Sequence, residues 1–87
     1  MLNLQQLSTF LMVAALNSFT RAAAELGYAQ SSVTTQIKAL ERALGVRLFK
    51  RSKFSKNVEL TVKGRRVVRY ARRLLALAEE TKISIRH

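Results

Sequence analysis

The scarcity of helix-breaking residues is the feature that most constrains this chain. Its 87 residues include no proline and only three glycines, Gly27, Gly45 and Gly64. Proline interrupts an α-helix, and glycine either weakens a helix or ends it in a left-handed conformation. Most of the chain is therefore predicted to be helical, with helices ending at Gly27 and Gly45.

Apolar residues at helical spacing locate four helices. The first is predicted over residues 4–16, the second over 19–26 and the fourth over 62–85, while the third begins about three residues after Gly27 and ends at Gly45. Ser18 and Thr61 directly precede the second and fourth helices and are expected to cap them. The short second helix, the tight turn and the longer third helix follow the order of a helix-turn-helix.

Two short β-like runs follow, over residues 47–51 and 58–60, with the polar stretch 52–57 between them. They predict a hairpin, or wing, that leans on the helices because a hairpin alone is not stable. The expected fold class is mainly α. A winged helix-turn-helix of three helices and a two-stranded wing occupies residues 1–61, and a long dimerisation linker helix occupies residues 62–87.

The fourth helix carries apolar and small residues in alternating steps of four and three, which is the spacing of a coiled-coil seam. The seam consists of Val67, Ala71, Leu74, Ala78, Thr81 and Ile85. A domain of this size has a small core, and we expect that core to be too small to cover so long a seam. The predicted partner is the same helix of a second copy, which gives a homodimer.

Charge is the strongest functional signal. The net charge is +11, and residues 38–73 hold thirteen Lys or Arg against two acids, Glu41 and Glu59. So large a charge predicts an anionic partner, with nucleic acid first and an anionic membrane surface second. Six of these cations crowd the start of the fourth helix, where positive charge is unfavourable. They are Lys63, Arg65, Arg66, Arg69, Arg72 and Arg73. DNA phosphates, an acidic surface of another domain, or solvent alone could offset that repulsion.

Several classes of function are disfavoured by what the chain lacks. It has no cysteine, and its one histidine is His87, so we expect no disulfide, no metal site and no cofactor. We find no paired carboxylates, no nucleophile beside a base and no glycine-rich phosphate loop, and therefore expect no enzyme. No signal peptide or membrane span is recognisable, and the expected location is the cytoplasm.

The third helix has two contrasting faces. Val33, Ile37, Leu40 and Leu44 form an apolar stripe, and the opposite face carries Ser31, Thr35, Lys38 and Arg42, with Thr34 at its edge. Short polar side chains allow a helix to lie deep in the DNA major groove, where Lys and Arg reach guanine edges or phosphates. Basic wing residues such as Lys53 and Lys56 could hold the backbone. An ordinary solvated helix face remains the alternative.

Many separated positions also match a known family in order and spacing. They are residues 18–23, 33–34, 36–37, 40–41, 44–45, 48–49 and 60–64, with Leu26, Gln30 and Arg51. Over about residues 4–65 the chain closely resembles the N-terminal region of LysR-type transcriptional regulators. The resemblance implies a winged helix-turn-helix whose linker helix pairs antiparallel with its mate, and a partly palindromic double-stranded operator.

The resemblance also implies the contacts. Bases or backbone would be contacted by Gln30, Ser31, Thr34, Thr35 and Lys38, and the wing would contribute Arg51 and Lys53. Thr20 and Lys56 complete the predicted set. Arg42 is expected to lie too far along the helix to reach bases. The family's C-terminal effector-binding domain has no room here, so we expect a fragment that binds DNA without a response to a small molecule.

The chain departs from the family pattern in three places. Ala29 stands where a capping Ser or Thr is usual, the wing is about two residues longer, and the linker helix is unusually basic. The missing cap would cost about 1 kcal/mol. An RNA-binding or membrane-surface protein stays as the competing class. It is disfavoured because the fourth helix has a narrow apolar seam and because most of the aromatic residues are expected in the core.

Overall fold

The computed structural model describes residues 2–51 and 57–87. Helices α1 (Leu4–Leu16), α2 (Phe19–Leu26) and α3 (Gln30–Leu44) are followed by strands β1 (Phe49–Arg51) and β2 (Val58–Leu60) and by helix α4 (Val62–Arg86). The two strands form one antiparallel sheet in which Phe49 lies opposite Leu60. The predicted fold class, three helices with a two-stranded wing and a long final helix, is confirmed.

The helix ends follow from local chemistry. The Ser18 hydroxyl accepts a hydrogen bond from the Arg21 amide at 3.1 Å, and the Thr61 hydroxyl accepts one from the Gly64 amide at 2.9 Å. Gly27 and Gly45 end α2 and α3 with φ values of 73° and 71°. These positive angles suit glycine because it has no Cβ to clash with the backbone. Both predicted caps and both predicted stops are confirmed.

The core forms where α1 packs against α2, α3 and α4. Its aromatic centre is Phe49, whose ring centroid lies 5.4 Å from that of Phe10 and 5.8 Å from that of Phe19. Tilted and edge-on pairs at this spacing are favourable beyond the area they bury. The first wing strand therefore provides the residue around which α1 and α2 meet.

Strand β1 begins two residues later than expected because residues 47 and 48 make other bonds. The Leu48 amide donates to Glu41 Oε2 at 2.8 Å, and the Leu48 carbonyl accepts from the Thr61 amide at 2.9 Å. The Thr61 hydroxyl donates to the Arg47 carbonyl at 2.7 Å. A Cβ at Gly64 would lie 2.3 Å from the Leu48 carbonyl oxygen. We call these contacts the α3–α4 clamp, because they fix the start of α4 against the end of α3.

The first turns of α4 belong to the core. Ala71 is fully buried and Val67 packs against the same core cluster, so the chain itself covers the first two residues of the predicted seam. The expectation that the whole seam faces a partner is corrected at Val67 and Ala71, because α1 lies against that part of the helix. Beyond them α4 projects from the folded unit. Leu77 is 59% exposed and Ile85 is 81% exposed.

Candidate nucleic-acid interface

One face of helix α3 is buried in the core, and the opposite face is exposed. Val33, Ile37 and Leu40 are each 0% exposed. On the opposite face the side chains of Ser31, Thr35, Lys38 and Arg42 are all exposed, and Thr34 at the edge is half-buried. The buried stripe fixes the rotation of the helix about its axis. The hydroxyl and cationic groups therefore form one outward ridge.

The N-termini of α2 and α3 meet at a side-chain hydrogen bond. The Thr20 hydroxyl donates to Gln30 Oε1 at 3.2 Å, and both residues are exposed. This bond engages the carboxamide oxygen of Gln30 and leaves the Nε2 hydrogens of that exposed side chain for other acceptors. Two residues predicted separately as contact residues are thus brought together, and one orients the other.

Two further hydrogen bonds hold this region to α1. The Thr9 hydroxyl donates to Gln36 Oε1 at 2.6 Å where Thr9 is fully buried, and Gln5 Nε2 donates to the Tyr28 hydroxyl at 2.5 Å. Neither pair was predicted from the sequence. Gln36 offers a weak signal, because a polar residue beside an apolar helical stripe often has a specific partner.

The N-terminus of α3 lacks a side-chain cap. Ala29 is the N-cap residue and forms no side-chain hydrogen bond there, although its carbonyl accepts from the Ser32 and Val33 amides at 3.0 and 3.3 Å. A Ser or Thr would accept a bond from one of the free amides of the first turn. The expected loss of the cap at this position is confirmed.

At its other end, the α3 ridge continues into a basic hollow. Lys38, Arg42 and Arg47 line it together with Glu41, Gly45 and Val46, and its volume is about 430 Å³. The Glu41 carboxylate lies 3.8 Å from Arg47 Nε and accepts a hydrogen bond from the Leu48 amide. It therefore holds residues 47 and 48 beside the end of α3. Arg47 was not predicted as a site residue because its apolar neighbours favour a strand, whereas β1 begins at Phe49.

The wing is described only in its strands. Arg51 in β1 lies opposite Val58, and Lys50 lies opposite Glu59. The Val58 amide donates to the Asn17 carbonyl at 3.1 Å, which supports the prediction that the hairpin leans on the helices. Lys53 and Lys56 lie outside the described residues, so their role stays a prediction.

The chemistry of this surface is that of binding. Hydroxyl, carboxamide and cationic groups can exchange hydrogen bonds with planar polar edges and neutralise anions. Among residues 2–51 and 57–87, no three His, Cys, Asp or Glu residues lie close enough together to hold a metal ion. No helix in the same ranges has the length and apolar character needed to cross a bilayer.

Curated relatives match the chain almost throughout. It is 45% identical over 83 residues to the uncharacterized HTH-type transcriptional regulator YwqM of Bacillus subtilis, which covers 95% of this chain and 28% of that protein. It is 43% identical over 79 residues to the HTH-type transcriptional regulator CzcR of the same organism, covering 91% of this chain and 27% of CzcR. The chain thus spans a little over a quarter of the length of these relatives.

Solved structures match the fold equally closely. The crystal structure of the CbnR_DBD-DNA complex superposes with a TM-score of 0.93 at 36% identity, covering 98% of this chain and 95% of the other. The BenM_DBD/benA site 1 DNA complex gives a TM-score of 0.90 at 33% identity, covering 98% and 93%. The model of the bacterial regulatory helix-turn-helix proteins of the lysR family matches residues 4–65. This chain therefore belongs to the LysR family of bacterial regulatory helix-turn-helix proteins.

Proposed function

We propose that the chain binds double-stranded DNA as the sequence-reading module of a LysR-type transcriptional regulator. The observation that carries the proposal is the outward ridge of α3. Its polar and cationic side chains are exposed while the opposite stripe is fully buried. The major groove of B-DNA is about 12 Å wide and admits an α-helix, so this ridge can lie on base edges while the rest of the chain stays outside.

The predicted residues of α2 and α3 have roles that fit their positions. The free Nε2 donors of Gln30, oriented by Thr20, suit the acceptor atoms of a base edge. Ser31, Thr34 and Thr35 are short enough for close approach, and Lys38 suits a guanine or a phosphate. Arg51, Lys53 and Lys56 of the wing are assigned to the backbone or the minor groove. The DNA complexes of CbnR_DBD and BenM_DBD, which share this fold, support the assignment.

Dimerisation through α4 belongs to the same proposal. Residues 1–61 act as the winged helix-turn-helix and residues 62–87 as the linker, whose free surface begins after the turns packed on α1. The exposed residues Tyr70, Leu74, Leu77 and Thr81 repeat in steps of four, three and four, and we call them the apolar stripe. Leu74 and Thr81 belong to both the apolar stripe and the predicted seam. The seam residues Ala78 and Ile85 lie beside the stripe.

A second copy of the chain fits this stripe, and two-fold symmetry in the protein matches a partly palindromic operator. In this proposal the module works in the cytoplasm, where bacterial chromosomal DNA is located. Any response to a small molecule would come from a separate effector-binding domain of a longer protein.

The first test measures affinity against salt. A duplex enriched from a random-sequence pool by the unaltered chain is titrated by fluorescence anisotropy at several salt concentrations. The logarithm of the binding constant should fall with log salt with a slope of about −0.9 per neutralised phosphate. The absence of any enriched sequence would show that the chain does not read DNA sequence.

The second test separates base reading from simple attraction. Ser31→Ala and Thr35→Val should lower the preference for the enriched duplex over its single-base variants, since each base contact contributes about 1–3 kcal/mol of discrimination. Ser8→Ala removes an exposed hydroxyl from α1 and serves as the matched control. If Ser31→Ala and Thr35→Val weakened binding equally on every duplex, base reading by α3 would be ruled out.

A further inference from the structure

Three arginines on α4 form a separate cationic surface. Arg65, Arg69 and Arg72 follow one another in steps of four and three, so they share one side of the helix, and all three are exposed. We call them the arginine ridge. At 1.5 Å per residue it extends for about 10 Å along α4. All three are among the six cations at the start of the fourth helix whose partner the sequence left open.

The arginine ridge has almost no acidic neighbours in its own chain. The chain has five acids, Glu25, Glu41, Glu59, Glu79 and Glu80. Glu41 faces Arg47 and Glu79 faces Lys82, and no ion pair within the described ranges includes a ridge arginine. Helix α1, which packs against α4, contains no charged residue. The repulsion among these cations is therefore not offset by an ion pair within residues 2–51 and 57–87.

The arginine ridge begins beside the wing. Arg65 lines an open hollow together with Asn17, Asn57, Val58, Glu59 and Leu60. Asn17 lies in the turn between α1 and α2, and Asn57 leads into strand β2. The ridge thus starts beside the wing, the element assigned to the DNA backbone, and continues along α4 away from it. Glu59 is the one acid among the residues that line this hollow.

The arginine ridge and the apolar stripe occupy different sides of α4. At about 100° per residue, the directions of Arg65, Arg69 and Arg72 average well over 100° from those of Tyr70, Leu74 and Leu77. A partner helix seated on the apolar stripe would leave the ridge open. Dimerisation therefore does not account for these three cations, which stay exposed to an anion outside the dimer seam.

We propose that the arginine ridge binds the phosphates of duplex DNA flanking the site read by α3, beyond the wing. Its length of about 10 Å corresponds to roughly three base pairs at 3.4 Å each. Guanidinium groups suit phosphate oxygens because they donate paired hydrogen bonds. The ridge lengthens the footprint without adding sequence preference. This inference rests on the proposed DNA binding.

The test compares two triple variants on two lengths of the enriched duplex. R65Q/R69Q/R72Q removes the arginine ridge, and R66Q/R73Q/R86Q removes the same number of charges from elsewhere on α4. The short duplex ends about two base pairs outside the selected sequence, and the long duplex continues for about 12 base pairs, roughly one helical turn. Circular dichroism checks the fold of both variants, since glutamine keeps a helix propensity close to that of arginine.

On the long duplex, the unaltered chain and the R66Q/R73Q/R86Q control should show a steeper salt slope than the ridge variant, by about one unit per contact and up to about three. On the short duplex the three proteins should have similar slopes. The ridge variant should still prefer the same sequence.

The competing outcomes are distinct. Equal slope losses in both triples would mean that only net charge matters, and no change on the long duplex would mean that the flank is not bound; either result overturns the inference while leaving the proposed function intact. Loss of binding to phosphatidylserine vesicles without loss on the long duplex would assign the ridge to a lipid surface and would also overturn it. Failure of the unaltered chain to enrich any sequence would remove the proposed function and this inference together.

Discussion

Helices α3 and α4 are both long and amphipathic, yet the chain covers the apolar side of only one of them. In α3, Val33, Ile37 and Leu40 are fully buried, whereas in α4 Ala71 is buried but Leu77, Ile83 and Ile85 are 58–81% exposed. The position of α3 is therefore determined within one chain, and that of the far half of α4 is not. The two helices show that a helical pattern identifies an apolar face without identifying what covers it.

The largest effect expected from this comparison comes from matched truncations. Ile37→Ala should lower the free energy of unfolding by about 2–5 kcal/mol, because it leaves a cavity in the core. Leu77→Ala should change it by less than about 0.5 kcal/mol at concentrations where the chain is monomeric, because that side chain is largely exposed. Urea unfolding of both variants measures the difference. Similar losses would contradict the contrast between the two helices.

The second prediction concerns the clamp that joins them. Gly64→Ala should cost about 1–3 kcal/mol of stability because the new Cβ would overlap the Leu48 carbonyl oxygen. Gly27→Ala is the comparison, since nothing lies within 4 Å of a Cβ there and only the positive φ disfavours it. Thermal unfolding measures the loss of stability in each variant. A Gly64→Ala protein as stable as the unaltered chain would show that α4 is free to move away from Leu48.

The third prediction asks what covers the far half of α4. If a second copy does, Leu77→Ala should weaken the dimer about tenfold or more, because a largely buried leucine contributes about 1.5–3 kcal/mol. Ile83→Ala, which removes an exposed residue from another side of the helix, should have a much smaller effect. Sedimentation equilibrium over a range of concentrations measures both constants. Unchanged association in Leu77→Ala would remove the apolar stripe from the interface.

The smallest effect is expected at the start of α3. Ala29→Ser should stabilise the chain by about 1 kcal/mol, because the new hydroxyl can accept a hydrogen bond from an amide of the first helical turn. Ala43→Ser, at an exposed position inside the same helix, should give no such gain because serine is less favourable there than alanine. Differential scanning calorimetry should resolve the two changes. A gain at position 43 equal to that at position 29 would show that capping is not the cause.

Features set by residues close together in the sequence could be predicted, whereas contacts between distant elements could not. The N-termini of α2 and α4 were predictable because Ser18 and Thr61 accept hydrogen bonds from amides three residues later. The outward ridge of α3 followed from the spacing of the buried apolar residues on its opposite face. The Thr9–Gln36 hydrogen bond joins residues 27 positions apart, and no local pattern signals it. The inward position of Val67 and Ala71 depends on where α1 packs, so the predicted seam included two residues that the core uses.

The α3–α4 clamp has a mechanical consequence. Helix α4 runs unbroken from Val62 to Arg86, so about 33 Å separate Gly64 from its far end at 1.5 Å per residue. While the clamp holds, moving that end sideways by about 6 Å rotates the whole folded unit by roughly 10° over this length. A displacement of the far end of α4 is therefore transmitted through the clamp to α3, whose tilt changes by the same angle.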